Sequence, residues 1–209
     1  MNTLEKEKMI QVATRWVGYC EKERHDVAVY EQHTMGAGAR NWTRFGRLFD
    51  LMFGFDQRRK DGYSWCAMFV AACLYESYCG HVDCSRPMGC LERDYEAFAY
   101  VCRVAAGGSS IQYHAGVTAW LQSYKARGMV SDTAQRGDFV VYLDEAGKPY
   151  HIGIVTDVFY NPAGIKLFRT IEGNTSAIGE GIVENGGCVA VKVRKFTKKV
   201  AFLKKLMRF

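Results

Sequence analysis

The spacing of the apolar residues changes once along the chain, between residues 128 and 139. Before that point, segments such as 5–19 place apolar residues three or four positions apart, as on one side of an amphipathic helix. After it, apolar and polar residues alternate, as in strands with one buried face. A chain whose helices precede its strands is predicted to adopt an α+β fold, with N-terminal helices packed on a C-terminal antiparallel sheet.

The individual elements follow from the same spacing. Five helices are predicted, at 5–19, 41–54, 66–79, 92–105 and 115–127. Four strands are predicted, at 137–143, 151–160, 164–174 and 188–196. Short turns join the first three strands, so these should pair antiparallel. The sheet should therefore contain four or more strands.

Composition places the chain among ordinary globular proteins made in the cytoplasm. It has 209 residues, of which 48% are hydrophobic and 24% charged. No apolar stretch approaches the roughly 18 residues that span a bilayer, and charged residues interrupt the N-terminus, unlike a signal peptide. We therefore expect cytoplasmic synthesis, and we expect the eight cysteines to be mostly reduced thiols rather than a disulfide framework.

One cysteine stands at a position suited to chemistry. Cys66 follows the turn at Asp61 and Gly62 and precedes the apolar run 67–74, so it should begin a buried helix. Ser64 is a candidate N-cap for that helix. A helix N-terminus favours negative charge, and a neighbouring imidazole can take the thiol proton, so both promote a nucleophilic thiolate.

A base and an orienting group are found among the predicted strands. His151 alone of the five histidines begins a strand, where it can face the Cys66 helix. On the next strand, Thr170, Glu172 and Asn174 should point to one side because strand side chains alternate. Glu172 or Asn174 can then hold the imidazole by its second nitrogen. From spacing alone, a packed cysteine, a backbone-bonded histidine and a solvated Glu172 remain the alternative.

Four motifs, in the same order, resemble those of a known family. They are YSWCAMFVAACL at 63–74, RGDFVVY at 136–142, HIGIV at 151–155 and TIEGNT at 170–175. Together they are similar to the CHAP domains, which are cysteine- and histidine-dependent amidohydrolases/peptidases of the papain-like NlpC superfamily. The resemblance implies a papain-like α+β fold in which Cys66, His151, Glu172 and Asn174 are the catalytic residues.

Further motifs resemble the CHAP domains of phage-type lysins. The segments 18–22 (GYCEK), 41–46 (NWTRFG) and 185–187 (NGG) are similar to theirs, so the resemblance covers roughly residues 10–194. Ser64 and Arg136 stand where many members have proline, and residues 80–113 have no clear counterpart. None of these departures removes a catalytic group.

The resemblance implies a function at the bacterial cell wall. Cys66 would attack an amide of peptidoglycan, His151 would transfer the proton, Glu172 would hold His151, and the Cys66 N–H would stabilise the oxyanion. We expect an amidase or endopeptidase, such as a phage or prophage endolysin, that acts at the wall after release. We expect no metal or cofactor, no nucleic-acid partner, and a monomer.

Several alternatives stay open on the sequence alone. The chain could be another papain-like enzyme acting on a small amide or a protein, or a silent wall-binding module. Trp65 could stack on substrate or belong to the core. Asp56 and Asp61 resemble a calcium loop only weakly, because basic residues separate them. The spacing of the cysteines from Cys79 to Cys102 favours free thiols over a zinc site.

The C-terminal segment is strongly basic. Residues 192–209 hold eight Lys or Arg and no acid, which leaves 20 basic and 22 acidic residues in the rest of the chain. We divide the chain into a single catalytic domain, 1–197, and a basic tail, 198–209. The apolar spacing of the tail is compatible with a short amphipathic helix that packs on the body or binds anionic wall polymers or a membrane surface.

Overall fold

The computed structural model describes residues 3–33, 40–54, 59–87, 92–106, 115–176 and 187–204. Asp56, Cys90 and most of the NGG motif, on which some predictions depend, lie outside these ranges. Within them, no helix has both the length and the apolarity needed to cross a membrane.

In the described residues, five α-helices precede nearly all of the sheet. They are α1 (Thr3–Arg15), α2 (Arg44–Phe53), α3 (Cys66–Cys79), α4 (Tyr95–Ala106) and α5 (Val117–Lys125). The side chain of Thr43 caps α2 by accepting a hydrogen bond from the Gly46 N–H, and Gly54 ends this helix at φ 68°. The predicted helices are therefore present, with boundaries shifted by a few residues.

Within the part of the chain that the structure describes, six strands form one antiparallel sheet. They are β1 (Val130–Ser131), β2 (Phe139–Leu143), β3 (Pro149–Tyr160), β4 (Lys166–Thr175), β5 (Cys188–Lys195) and β6 (Val200–Leu203), in the spatial order β1-β6-β2-β3-β4-β5. The four predicted strands are β2 to β5, which follow one another as a meander. The α+β prediction is thus confirmed, with helices packed on an antiparallel sheet.

The two faces of the sheet carry different clusters. Ile152, Ile154 and Ile171 face the helices and belong to the main core. Val140, Tyr142, Val155, Phe168 and Phe202 form a second, smaller cluster on the other face. His151 is the cross-strand partner of Tyr142, next to the register shift between Tyr142 and Leu143.

Helix α3 is the central helix of the fold. Every residue from Cys66 to Glu76 is buried, and the helix packs against α1, α2, α4, β3 and β4. Its Glu76 is held by Arg44 of α2 across 2.8 Å, and both side chains are almost fully buried. Because its packing and a buried ion pair fix α3, its first residue has a defined position relative to β3 and β4.

The C-terminal segment differs from the prediction. Val200–Leu203 forms strand β6 between β1 and β2, not part of an amphipathic helix. Ala201 and Leu203 enter the main core while Phe202 enters the second cluster, so this segment buries both sides. A helix exposing one polar side would leave the β2 edge unpaired. Two tail lysines are also engaged, Lys204 with Asp138 at 2.7 Å and Lys199 with Glu145.

Candidate active site

Cys66 is the first residue of α3 and is almost buried. Its exposed fraction is 4%. The first backbone bond of the helix runs from the Phe69 N–H to the Trp65 carbonyl at 2.8 Å, so the Cys66 N–H lies in the turn whose donors have no acceptor within the helix. These donors and the helix dipole are arranged to stabilise an oxyanion that forms beside this residue.

The N-cap prediction for Ser64 is wrong. Trp65 is the N-cap residue, and no side chain caps the helix. The Ser64 hydroxyl instead accepts a hydrogen bond from Asn174 Nδ2 at 3.3 Å. Without a side-chain cap, the first turn of α3 keeps its N–H groups available to another acceptor.

His151 lies between the thiol and a carboxylate. It is the third residue of β3 and is 2% exposed. Its Nε2 lies 3.1 Å from Glu172 Oε2, and the Cys66 thiol is near enough to influence the ring electrostatically. Burial lowers the pKa of His151, but the interactions with Cys66 and Glu172 outweigh burial and raise it to about 10. The imidazole is therefore held as an imidazolium beside the thiol.

Glu172 is fully buried and surrounded by donors. Oε1 accepts from Tyr142 at 2.7 Å and from Thr170 at 2.6 Å. Arg194 donates from Nε to Oε1 at 3.1 Å and from Nη2 to Oε2 at 2.7 Å. Burial raises the pKa of Glu172, but His151 and Arg194 together lower it well below its usual range. Glu172 is therefore an ionised carboxylate in the described site.

Two glycines allow these groups to meet. A Cβ on Gly153 would lie 2.7 Å from Glu172 Cγ, so glycine at this position leaves room for the Glu172 side chain beside His151. A Cβ on Gly173 would lie 2.6 Å from Phe69 Cβ and 2.8 Å from Trp65 Cζ3. Gly173 therefore lets α3 lie directly on β4. The glycines of HIGIV and TIEGNT are thus explained by close packing at the site.

Asn174 does not share the side on which Glu172 lies. The pairing of β4 with β5 shifts register between Glu172 and Thr175, and Asn174 has φ 57°. Only Thr170 and Glu172 follow the predicted alternation. Asn174 turns toward Ser64, so it links the end of β4 to the residues before the thiol, while Glu172 holds the imidazole.

Trp65 is a core residue. It is fully buried, its ring stacks on Phe45 with centroids 5.3 Å apart, and its Nε1 donates to Glu21 Oε2 at 3.3 Å. Of its two predicted roles, substrate stacking is therefore wrong and packing is correct. The ring supports the turn immediately before the thiol.

Arg194 and Tyr142 were not predicted from the sequence. In β5, Val191 and Val193 are exposed, whereas Lys192 is buried and Arg194 is partly buried. This strand inverts the usual rule that the apolar residues of an alternating strand face inward. The available signal was a pair of basic residues alternating with valines beside a strand that carries a candidate catalytic acid.

The cysteines that the structure describes fall into two groups. Cys66, Cys73, Cys79, Cys84 and Cys102 are free thiols, as predicted. Cys20 and Cys188 form a disulfide, against the prediction. They are antiparallel bridge partners with Cα atoms 4.1 Å apart, although 168 residues separate them in the sequence.

Other polar clusters have structural partners. Asp61 accepts hydrogen bonds from the Tyr30 hydroxyl at 2.6 Å and the Thr43 N–H at 3.0 Å. In the part of the chain that the structure describes, no group of three or more His, Cys, Asp or Glu side chains is arranged to hold a metal ion.

Comparison of this chain with models of protein families, with curated proteins and with solved structures gives no match. The likeness to CHAP domains accordingly remains a prediction from the sequence. Functional inference depends on the geometry of Cys66, His151 and Glu172, together with that prediction.

Proposed function

We propose that the chain is a cysteine amidohydrolase that cleaves an amide bond of bacterial peptidoglycan. The observation that carries this proposal is the arrangement of Cys66, at a helix N-terminus, close to His151, whose ring is hydrogen-bonded to Glu172. A nucleophile, a base and an orienting carboxylate in this order are the groups that acyl transfer requires.

Each group has a defined part in the reaction. The Cys66 thiolate attacks the amide carbon, and the Cys66 N–H stabilises the oxyanion that forms on the carbonyl oxygen. As the C–N bond breaks, the imidazolium of His151 gives its proton to the leaving amine. Neutral His151 then takes a proton from the water that attacks the thioester, the C–S bond breaks, and the acid is released while the Cys66 thiolate and the His151 imidazolium are restored.

The two ring nitrogens of His151 divide these tasks. Nε2 is held by Glu172, so Nδ1 is the nitrogen that exchanges the proton with Cys66, the amine and water. Glu172 thereby fixes both the ring orientation and the tautomer. The choice of peptidoglycan as substrate is supported by the resemblance of the sequence motifs to those of CHAP-type lysins, and not by the site geometry.

The test is hydrolysis of purified cell walls in a zymogram by the wild type and by Cys66→Ala. We expect clearing by the wild type and none by Cys66→Ala. Cys73→Ala is the matched control, because Cys73 is a buried thiol of the same helix. It should keep activity.

The ends released from the wall identify the bond that is cut. New amino groups on the stem peptide at its junction with the glycan would indicate an amidase, and new ends within the peptide an endopeptidase. Activity that survives in Cys66→Ala would contradict the nucleophile assignment. If the wild type does not hydrolyse walls but its Cys66 still reacts rapidly with iodoacetamide, the proposed substrate is wrong. The assignment of Cys66 as the nucleophile then stands.

A further inference from the structure

We propose that Arg194 is a positioning residue of this site, which clamps the Glu172 carboxylate so that it holds His151 toward Cys66. The inference deepens the proposed function. It concerns only how the reacting groups are held, so it can be tested on the thiol without peptidoglycan.

The contact has the geometry of a clamp. Arg194 reaches both carboxylate oxygens, Nε to Oε1 at 3.1 Å and Nη2 to Oε2 at 2.7 Å. The side chain of Arg194 is 11% exposed and that of Glu172 is fully buried. A planar guanidinium can hold a carboxylate through two parallel hydrogen bonds, whereas the ammonium of lysine cannot reproduce this fork.

The reaction itself explains the need for a second cation. Glu172 lies between His151 and Arg194, and the charge of His151 changes during turnover because the imidazolium gives its proton to the leaving amine. At that moment Glu172 would be a buried carboxylate without a cation beside it, which is strongly destabilising. Arg194 stays charged throughout, so Glu172 remains ionised and in place when His151 becomes neutral.

The pH response follows from the groups that face Glu172. Tyr142 faces it from β2, His151 from β3, and Arg194 with Lys192 from β5. Burial raises the pKa of Glu172, and Arg194 contributes to lowering it. Removal of Arg194 should therefore raise that pKa. Because a protonated Glu172 no longer stabilises the imidazolium, the acid limb of the reaction should move to higher pH.

A cavity of about 250 Å³ beside the clamp makes a direct test available. Arg194, Tyr142, Tyr150 and Lys199 are among its lining residues. In Arg194→Ala, a free guanidinium ion can enter from this cavity and occupy the place of the missing side chain. Such rescue distinguishes a lost clamp from a general loss of stability, which guanidinium would worsen.

The experiment compares Arg194→Ala, Arg194→Lys and the control Arg169→Ala. Arg169 lies on the neighbouring strand β4 and pairs with Asp157 at the surface, where the two side chains are 43% and 45% exposed. The measurements are wall hydrolysis and the rate of Cys66 alkylation by iodoacetamide, read by mass spectrometry of the Cys66 peptide, each as a function of pH. Circular dichroism checks the fold.

For Arg194→Ala we expect both rates to fall about 10- to 100-fold, because a misplacement of a reacting group by about 1 Å can cost about 100-fold, with the acid limb displaced to higher pH. Millimolar guanidinium chloride should restore part of the rate, and sodium chloride at equal concentration should not. Arg194→Lys should be intermediate, and Arg169→Ala should match the wild type.

The inference would be overturned by a folded Arg194→Ala with wild-type rates and pH profile, or by a reduced rate that guanidinium does not restore. If Arg194→Ala does not fold, Arg194→Lys decides, and an unshifted acid limb in that variant counts against the clamp. Absence of wall hydrolysis in the wild type would refute the proposed substrate. The alkylation rates would still test whether Arg194 holds Glu172 in place.

Discussion

At the residue scale, the site depends on the absence of a side chain at Gly153 as much as on the reacting side chains. Glu172 approaches His151 by passing over Gly153, where a Cβ would lie 2.7 Å from Glu172 Cγ. Real Cβ atoms do not tolerate so short a contact, so any larger residue must displace the carboxylate or the strand. Gly153 is therefore a specific determinant of the hydrogen bond between Glu172 and His151.

We expect Gly153→Ala to lower wall hydrolysis by at least about 10-fold, because a misplacement of a reacting group by about 1 Å can cost about 100-fold. The measurement is the initial rate on purified walls, with circular dichroism as the check on folding. In a Glu172→Ala background the same substitution should cost little, because the atom that it strikes has been removed. A Gly153→Ala enzyme with full activity would show that the contact relaxes without consequence.

The ionisation of His151 sets a second expectation. Its pKa is raised to about 10 by Cys66 and Glu172 against the effect of burial. The imidazolium should persist through neutral pH, and hydrolysis should decline as the pH rises through about 10, because the leaving amine then lacks its proton donor. A pH–rate profile on walls tests this, and an alkaline decline centred near 7 would contradict it.

The same ionisation contributes to stability. Because the pKa of His151 is raised in the folded state, charged His151 stabilises the fold. This stabilisation is complete below the unfolded-state pKa of about 6.5 and is lost as the pH rises through about 10. The Glu172 pKa is lowered, so its contribution is present above its ordinary value and is lost in acid. Urea unfolding of the wild type and of His151→Ala should therefore converge at high pH.

At the element scale, strand β6 connects the two clusters of the sheet. Phe202 and Leu203 are fully buried, one in each cluster. Deletion of residues 198–209 should therefore prevent stable folding instead of merely weakening attraction to anionic surfaces. The milder Phe202→Ala should cost about 3–5 kcal/mol of unfolding free energy, measured by urea denaturation.

The control for β6 is Val193→Ala, since Val193 is 53% exposed on β5. Its unfolding free energy should remain within about 0.5 kcal/mol of the wild type. A truncated chain that keeps the wild-type melting temperature and loses only salt-dependent wall binding would instead support the tail as a separate binding element.

The elements also show what the sequence could and could not predict. Four consecutive antiparallel strands and the positions of Cys66, His151 and Glu172 were predictable, because alternation and helix spacing repeat over many residues. Strand β6 was not, since the short continuous apolar run Val200–Leu203 does not distinguish a buried strand from a helix by its periodicity. The predicted direction of the Asn174 side chain was wrong because the register shift after Glu172 depends on how β4 pairs with β5. Arg194 was missed because β5 turns valines outward and basic residues inward.

At the scale of the whole molecule, the Cys20–Cys188 disulfide ties the segment after α1 to β5. In the chain-entropy description, closing a loop of 168 residues stabilises a fold by at most about 5 kcal/mol. We expect the double variant Cys20→Ala, Cys188→Ala to melt at a lower temperature than the oxidised wild type. Reductant should lower the melting temperature of the wild type and leave that of the variant unchanged.

Two results would weigh against this role for the disulfide. One is equal melting temperatures for the oxidised wild type and the double variant. The other is a response of the double variant to reductant, which would point to different thiols.

The place of β6 in the sheet also bears on how the protein is made. In the order of synthesis β6 follows all of the other described strands, yet it lies between β1 and β2. A ribosome that has reached residue 195 has already made the thiol, the imidazole and the carboxylate, while the β2 edge still lacks its partner. An open edge invites pairing with other chains. A nascent chain at this stage has every reacting group but an unfinished sheet, so assembly must await Val200–Leu203.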